Sequence, residues 1–489
     1  MLTAAGGVST AGAEEPDEHS RPRRAVERLG PRHRRALLLI VLSALALRVG
    51  WAVPLAEPPS GGDTTSYFVA GRDIAAGRGY RANPLAVVRE RFAHPTEAIS
   101  APPSAFFPIG WPAALGALFW TTENLGLPND TDALALEGVL LNAVLGTAIV
   151  VLTFAIARRF FDPTVALLAA AIVAVEPNLV FEAGMMRVEP AATATLMLAL
   201  LVLVRDPWAP DGPSVATTVV GGLLIGVATL VRPNVFVLVA LLPLAVWVSR
   251  LGWRRAVARG AILLGCAAVV IAPWTIRNIV EMHSPVLVST SIGDTLCMGR
   301  QPHATGQFLQ PNACDLGFAK VPFNEREVER YRKNTSRAVS WVVHHPVSEV
   351  GQWFSRMMWA NRDDHDGLAE AADHFSNTWL SGLSALGDGA YFVILAFAIV
   401  GARHFARRSD GRRLFLLLTT ISLMLVPLVT FGDPRYKVPA VPLLAILGAP
   451  ALYAAWQGTR GTRISGGDAG PPPTDVVGEG PPVTVADVP

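Results

Sequence analysis

Acidic and basic residues stand in short turns between long apolar runs, a setting where ionisable groups are costly and usually functional. Asp63 follows two glycines in Ser-Gly-Gly-Asp-Thr-Thr-Ser-Tyr, which ends at Tyr67. Arg187 and Glu189 share Met-Arg-Val-Glu-Pro, and Arg232 lies in Thr-Leu-Val-Arg-Pro. Arg277 and Asn278 end Pro-Trp-Thr-Ile-Arg-Asn, and Arg435 and Tyr436 lie in Gly-Asp-Pro-Arg-Tyr-Lys. A carboxylate held in a fixed place can take a proton from a hydroxyl. A guanidinium offers a planar fork of donors to phosphate oxygens. Each arginine has a second reading, a side chain snorkelling to lipid headgroups. Asp63 has one too, the N-cap of a helix from Thr64 to about Ala76. Four separate turns that each carry an arginine favour one shared anionic ligand, and lipid phosphate is the natural candidate.

The elements that must hold these residues are membrane spans. Of 489 residues, 51% are hydrophobic and 16% charged, whereas an ordinary soluble chain is about a quarter charged. Mean hydropathy is +0.38. A formal charge of +2 excludes a nucleic-acid binder held by bulk positive charge. The apolar content excludes a disordered polyampholyte, and three cysteines are too few for a disulfide scaffold or a zinc cluster. Apolar runs near the roughly 20 residues that cross a bilayer recur along the chain. They lie at about 36–55, 134–157, 164–181, 188–204, 214–231, 233–249, 257–275, 383–401, 412–430 and 437–456. The pattern predicts an all-α polytopic membrane protein, a bundle of about 10–11 transmembrane helices.

Charge sets the orientation. Arg-Pro-Arg-Arg (21–24) and Arg-His-Arg-Arg (32–35) precede the first run and anchor it on the cytoplasmic side. The shorter piece Phe106–Trp120 contains Pro108 and Pro112. If it does not cross, the basic clusters Arg158–Arg159, Arg250–Arg259 and Arg403–Arg413 all fall inside, so 106–121 is read as re-entrant or interfacial. Two large external regions result, 56–133 and 276–382, both carrying juxtamembrane helices. Residues 1–35 and 457–489 read as disordered tails flanking one transmembrane domain, 36–456. The cytoplasmic loops are short and hold neither GxGxxG nor a Walker A pattern. The chemistry is therefore expected at the extracytoplasmic face of the plasma membrane.

Other acidic motifs have plain readings. Asp130-Thr131-Asp132 has the DxD form of metal-holding sugar-nucleotide enzymes, but it directly precedes a span and reads as a helix cap. Asp363-Asp364-His365-Asp366 suits a divalent ion or a solvated acidic turn. Cys297 and Cys314 share the second external region, where oxidation would join them. Cys266 lies within a span as a small packing residue.

Several ordered motifs carry a family resemblance. Gly-Asp-(x)3-Tyr-(x)2-Ala to Ala-Gly-Arg-Gly-Tyr (62–80) and Phe-Pro-Ile-Gly-Trp-Pro (107–112) come first. Leu-Asn-Ala-Val-Leu-Gly (141–146), Ala-Arg-Arg-Phe-Phe (157–161) and Glu-Pro (189–190) follow. Gly-(x)3-Gly-Val-Ala-Thr-Leu-Val-Arg-Pro (222–233), Pro-Trp-Thr-Ile-Arg-Asn (273–278), Ala-Thr-Gly (304–306) and Asp-Pro-Arg-Tyr-(x)2-Pro (433–439) complete the series. Over about 36–456 the chain resembles membrane glycosyltransferases of the GT-C class. The branch it is most similar to is family 39, the protein O-mannosyltransferases and aminoarabinose transferases. The resemblance implies a GT-C-like bundle and an inverting transferase that takes a sugar from a polyprenyl-phosphate carrier at the outer face. It maps the catalytic base onto Asp63, a second acidic residue onto Glu189 and a basic residue onto Arg232. The Glu-Lys pair of the aminoarabinose transferases is replaced here by Pro102–Pro108, which argues against that sugar.

The chemistry fits the inventory. A phosphate-linked sugar already has a good leaving group, so a base for the acceptor hydroxyl and positive charge for the departing phosphate suffice. Asp63 supplies the first; Arg187, Arg232, Arg277 and Arg435, with Glu189, Asn278, Tyr67 and Tyr436 beside them, supply the donor site. No cofactor is named by the sequence, and a divalent metal stays open. The expected partners are the lipid-linked donor, the bilayer and a glycan, glycolipid or protein acceptor, with no nucleic acid. The rival reading is a polytopic transporter or lipid-linked-sugar flippase, though the polar groups gather at one face rather than at the bilayer midplane.

Overall fold

In an apolar medium a spanning chain must satisfy its backbone within the segment, which favours helices. The computed structural model describes residues 29–82, 101–205, 207–208, 212–302, 304–308, 314, 321–362, 366–406 and 410–465. The described residues are largely helical, and isolated backbone bridges join Arg81 to Pro103 and Gln307 to Gly432. This is a multi-pass, all-α membrane protein. The stretches Pro31–Leu55, Thr131–Ala157, Trp253–Met282, Asn377–Ala402 and Pro434–Gly458 are each long and apolar enough to cross a bilayer. The pair Pro163–Val175 and Pro177–Gly184 qualifies together, bent by 57°. Glu189–Leu203, Val215–Val231 and Pro233–Val248 are shorter apolar helices.

We number the helices used below in chain order. α1 is Pro31–Ala52, α2 Gly62–Ala75, α3 Gly110–Asn124, α4 Thr131–Ala157, α5 Pro163–Val175 and α6 Pro177–Phe181. α7 is Glu189–Leu203, α8 Val215–Val231, α9 Leu238–Val248 and α10 Trp253–Met282. α11 is Ser291–Gly299, α12 Phe323–His344 and α13 Pro346–Ala360. α14 is Asn377–Ala402, α15 Gly411–Met424, α16 Val426–Val429 and α17 Val441–Ser465. Every apolar run read from the sequence falls on one of these helices or on a broken pair. The 15 residues of α3, at 1.5 Å each, reach only about 22 Å, short of the ~30 Å hydrocarbon core.

The break between α5 and α6 explains the one arginine inside the first apolar run. Pro177 has no N–H, so the carbonyl of Val173 lacks its helical partner. Arg48, fully buried in α1, donates to Val173 O and Ala174 O at 3.0 Å each. It therefore caps the broken helix from the side, an alternative to the snorkelling that an arginine near a span end suggests.

Small residues bring the helices close. A Cβ on Gly222 would stand 2.8 Å from Cys266 Cβ, and one on Gly226 would stand 2.7 Å from Val270 Cβ. This glycine spacing lets α8 lie against α10 backbone to backbone. The motif that ends in Arg232 is thus a packing device that aims the arginine.

At one end of the bundle the basic turns meet. Arg413 donates to His404 O at 3.1 Å and to Phe160 O at 3.3 Å, tying the turn after α4 to the turn before α15. At the other end the two long loops dock on each other. Thr290 N donates to Ala105 O (2.9 Å) and Ser291 N to Phe106 O (3.0 Å). Glu327 of α12 accepts from Ser104 Oγ (2.7 Å), Ala105 N (2.9 Å) and Thr290 Oγ1 (2.8 Å). Burial raises its carboxyl above the ordinary range, against the pull of these three donors and of Arg277.

Gly226→Val should force α8 from α10 and cost about 1–3 kcal/mol by overpacking. Gly265→Val is the control, since a Cβ there has no neighbour within 4 Å. Thermal unfolding of the solubilised protein should separate the two variants, and equal midpoints would contradict the close packing.

Candidate active site

Gly61 is extended and Gly62 has φ of +66°, a left-handed backbone that glycine takes without strain. This turn starts α2 at Gly62 with Gly61 as its N-cap. Asp63 is therefore not the cap of a helix from Thr64, as one reading of the sequence had it, but a first-turn residue whose side chain reaches out. Its Oδ2 accepts from Arg435 Nη1 at 2.6 Å.

Arg435 stands at the head of the turn Pro434–Ala440. Asp433 caps that turn by accepting from Arg435 N at 3.0 Å. The Asp433 carboxylate also pairs with Arg435 Nε at 3.1 Å. One guanidinium thus lies between two carboxylates.

The second ion pair joins α7 to α8. Glu189 opens α7, where an acidic residue favours the helix dipole, and its Oε1 lies 3.1 Å from Arg232 Nη1. Arg232 is the C-cap of α8. Gly110 of α3 packs there, so that a Cβ would meet Val231 Cγ2 at 2.7 Å and Leu230 O at 2.8 Å. The Phe-Pro-Ile-Gly-Trp-Pro motif therefore seats α3 directly below Arg232. The ring of Tyr436 links the two pairs, with Arg232 at 5.4 Å and Arg435 at 5.8 Å from its centroid. Tyr67 is buried on α2, its ring 4.8 Å from that of Phe107. Burial pushes its phenol well above the ordinary value, as do the charges of Asp63 and Glu189, while Arg435 and Arg232 oppose. Tyr67 therefore keeps an uncharged hydroxyl among these charges.

Of the residues singled out by type and spacing, Asp63, Tyr67, Glu189, Arg232, Arg435 and Tyr436 converge. Arg187 stands beside them in sequence but pairs with Glu182 at 3.9 Å, its carbonyl held by Asn142 Nδ2 at 3.0 Å. Arg277 and Asn278 serve the loop backbone. Arg277 donates to Tyr80 O and Ser104 O, each at 2.8 Å, and Asn278 Nδ2 donates to Val286 O at 2.9 Å. Cys297 and Cys314 form a disulfide with Cα atoms 6.1 Å apart. Asp130 caps α4 through Asp132 N and Ala133 N. Residues 363–365 of the acidic run lie outside the described residues. Among the described residues no three His, Cys, Asp or Glu side chains converge where a metal would sit.

Sequence reasoning missed a second ionic cluster that fixes the site from the side. Glu349 of α13 takes Arg356 Nη1 at 2.7 Å and Arg300 Nη2 at 2.8 Å. Arg356 also donates to Gly299 O (2.6 Å) and Leu428 O (2.9 Å). Gly432 N donates to Gly306 O at 2.7 Å, which uses the Ala-Thr-Gly motif. The second long loop therefore clamps the segment just before Asp433. Its only sequence signal is the pair of ionic residues seven apart on one helix, an unremarkable spacing.

Residues 133–276 match the family model described as dolichyl-phosphate-mannose-protein mannosyltransferase. No curated protein sequence gives a match. Among solved structures, the archaeal oligosaccharyltransferase AglB from Archaeoglobus fulgidus, in complex with an inhibitory peptide and a dolichol-phosphate, superposes with TM-score 0.52 at 13% identity. That likeness covers 91% of this chain and 53% of the other. The same oligosaccharyltransferase tethered to an acceptor peptide gives 0.53 at 15% identity, covering 88% and 50%. The chain has the GT-C fold. It spans about half the length of the GT-C structures it matches. A lower likeness, TM-score 0.49 at 18% identity over 88% of this chain and 63% of the other, is to ArnT from Cupriavidus metallidurans bound to undecaprenyl phosphate.

Burial alone would raise Glu349, but the bonds and charge of Arg356 and Arg300 bring it below the ordinary value of 4.5. A carboxylate depressed on folding stabilises above its unfolded value and loses that contribution as pH falls through the folded one. Glu349→Gln should therefore lower the unfolding temperature at neutral pH and flatten its fall on acidification, read by thermal scans across pH. Glu349→Ala, which leaves buried Arg356 unpaired, should cost about 3–5 kcal/mol.

Proposed function

We propose that the chain is an inverting glycosyltransferase that moves a sugar from a polyprenyl-phosphate-linked donor to an acceptor hydroxyl at the extracytoplasmic face of the plasma membrane. The convergence of Asp63 and Glu189 with Arg232 and Arg435 at the loop end of the bundle carries this reading. Two further points support it. The family matched over 133–276 is described by a lipid-phosphate-sugar substrate, and AglB was solved with a dolichol-phosphate. The meeting of the basic turns Arg158–Arg159 and Arg403–Arg413 at one end supports the orientation by the positive-inside rule.

In this reading Asp63 takes the acceptor hydroxyl's proton and the oxygen attacks the anomeric carbon. The bond from that carbon to the phosphate oxygen breaks, and its electron pair leaves with the phosphate. Arg232 and Arg435 neutralise the charge that develops there. Tyr67 and Tyr436, beside the ion pairs, donate to the sugar or phosphate oxygens. A single displacement inverts the anomeric centre and needs no covalent sugar–enzyme intermediate. Mannose and other hexoses or pentoses fit this chemistry, as do a protein, glycolipid or polysaccharide acceptor. Arg187 and Arg277 act one step away, through the turn before Glu189 and the loop after α2.

Asp63→Asn should lower kcat by about 10²–10⁴-fold, the usual contribution of a positioned base. Arg232→Ala should mainly raise the donor KM. Transfer from a radiolabelled polyprenyl-phosphate sugar reads both effects, and undiminished turnover by Asp63→Asn would remove the base assignment.

A further inference from the structure

We propose that the donor's phosphate displaces Asp63 from Arg435, so that the base is free to act only once the lipid phosphate is in place. This rests on the glycosyl-transfer reading above and adds an order of events to it.

The charge balance requires a displacement. Arg232 is paired with Glu189 at 3.1 Å, and Arg435 with Asp63 at 2.6 Å and Asp433 at 3.1 Å. Three carboxylates thus face two guanidiniums. An entering phosphate meets arginines that already have partners and a local excess of negative charge, so one carboxylate must give way.

Exposure decides which. The side chain of Asp63 is 35% exposed, against 9% for Asp433 and 2% for Glu189. Asp433 is held a second time, by the backbone N–H of Arg435 at 3.0 Å, and it keeps the guanidinium partnered when Asp63 departs. Asp63 is on the first turn of α2, behind Gly61 and Gly62, and a Cβ on either glycine would find nothing within 4 Å. That hinge has room to move.

The exchange also preserves charge and completes the chemistry. The donor is a phosphodiester with one negative charge, the same as the carboxylate it replaces. While Asp63 Oδ2 accepts from the guanidinium, that oxygen is engaged and is a weaker base toward a hydroxyl. After displacement the carboxylate takes the hydroxyl's proton and becomes neutral, and the phosphate leaves as a monoester with one more negative charge. Protonated Asp63 no longer competes for Arg435, so the product lipid phosphate stays until that proton is lost.

The test is binding of undecaprenyl phosphate to the full-length protein in detergent, by titration of the wild type, Asp63→Asn and Asp433→Asn. Asp63→Asn should bind about fivefold tighter or more, because the internal competitor is gone, while transfer is lost. Asp433→Asn should bind more weakly, because Arg435 loses its holder. If Asp63→Asn fails to fold, Asp63→Ser makes the same measurement. Equal or weaker binding by the Asp63 variants, with the wild type binding, overturns the displacement and leaves glycosyl transfer standing. Failure of the wild type and every variant to bind the lipid phosphate overturns the donor-site reading and the displacement with it.

Discussion

A guanidinium at the edge of an apolar bundle must find a carboxylate or a carbonyl, since an unpaired buried charge is the costliest group a fold can carry. That constraint decides how distant parts of this chain meet. Arg435 reaches Asp63 across 372 positions of sequence and Arg232 reaches Glu189 across 43, so α2, α7, α8 and the turn before α17 are drawn to one place. Arg48 obeys the same rule with carbonyls instead. The two kinds of cluster then differ in consequence. Glu349 and Arg356 are sealed from water, where a pair is strongly held once formed, whereas Asp63 is 35% exposed, where solvent screens an ion pair. A weakly held pair at the mouth of the bundle can be exchanged; a sealed one cannot.

The long loops earn their length by holding that mouth in register. Glu327 gathers three donors from the end of the first loop and the start of the second, and Arg277 fixes Tyr80 and Ser104 from below. The disulfide between Cys297 and Cys314, with Asn334 bridging Asp294 and Cys314 O, stiffens the second loop where α11 meets α12. None of these groups touches the Asp63–Arg435 pair. They set the positions of the backbone on either side of it.

Much of this was legible in the sequence because membrane helices leave a strong apolar signal and because charge in their turns is conspicuous. The helices, the cap at Asp130 and the disulfide follow from length, capping chemistry and compartment. Asp63, Glu189, Arg232 and Arg435 stand out by type alone. Their partners do not: nothing in Thr-Leu-Val-Arg-Pro says that Arg232 meets Glu189, since that pairing depends on how α7 and α8 pack. Asp433 drew no separate notice in the sequence, yet it caps the turn Pro434–Ala440 and its side chain pairs with Arg435. Arg277 misleads in the opposite sense. It has the type and place of a phosphate ligand, but two carbonyls of the neighbouring loop take its donors. The start of α2 was misplaced by two residues because Gly62, with its positive φ, begins the helix that Asp63 was thought to cap.

The division of the site between segments bears on what the fold itself supplies. A likeness at 13–15% identity preserves the arrangement of apolar helices, which many sequences satisfy, and leaves the chemistry to individual side chains. The stretch 133–276 that matches a known family contains Glu189 and Arg232 but neither Asp63 nor Arg435. One ion pair therefore lies inside that stretch and the other outside it. The middle pair is buried and joins α7 to the end of α8. The flanking pair is assembled from a loop and a turn, with the freedom that such elements have. The first pair is set by helix packing, and the position of the second follows from the loops on either side of it.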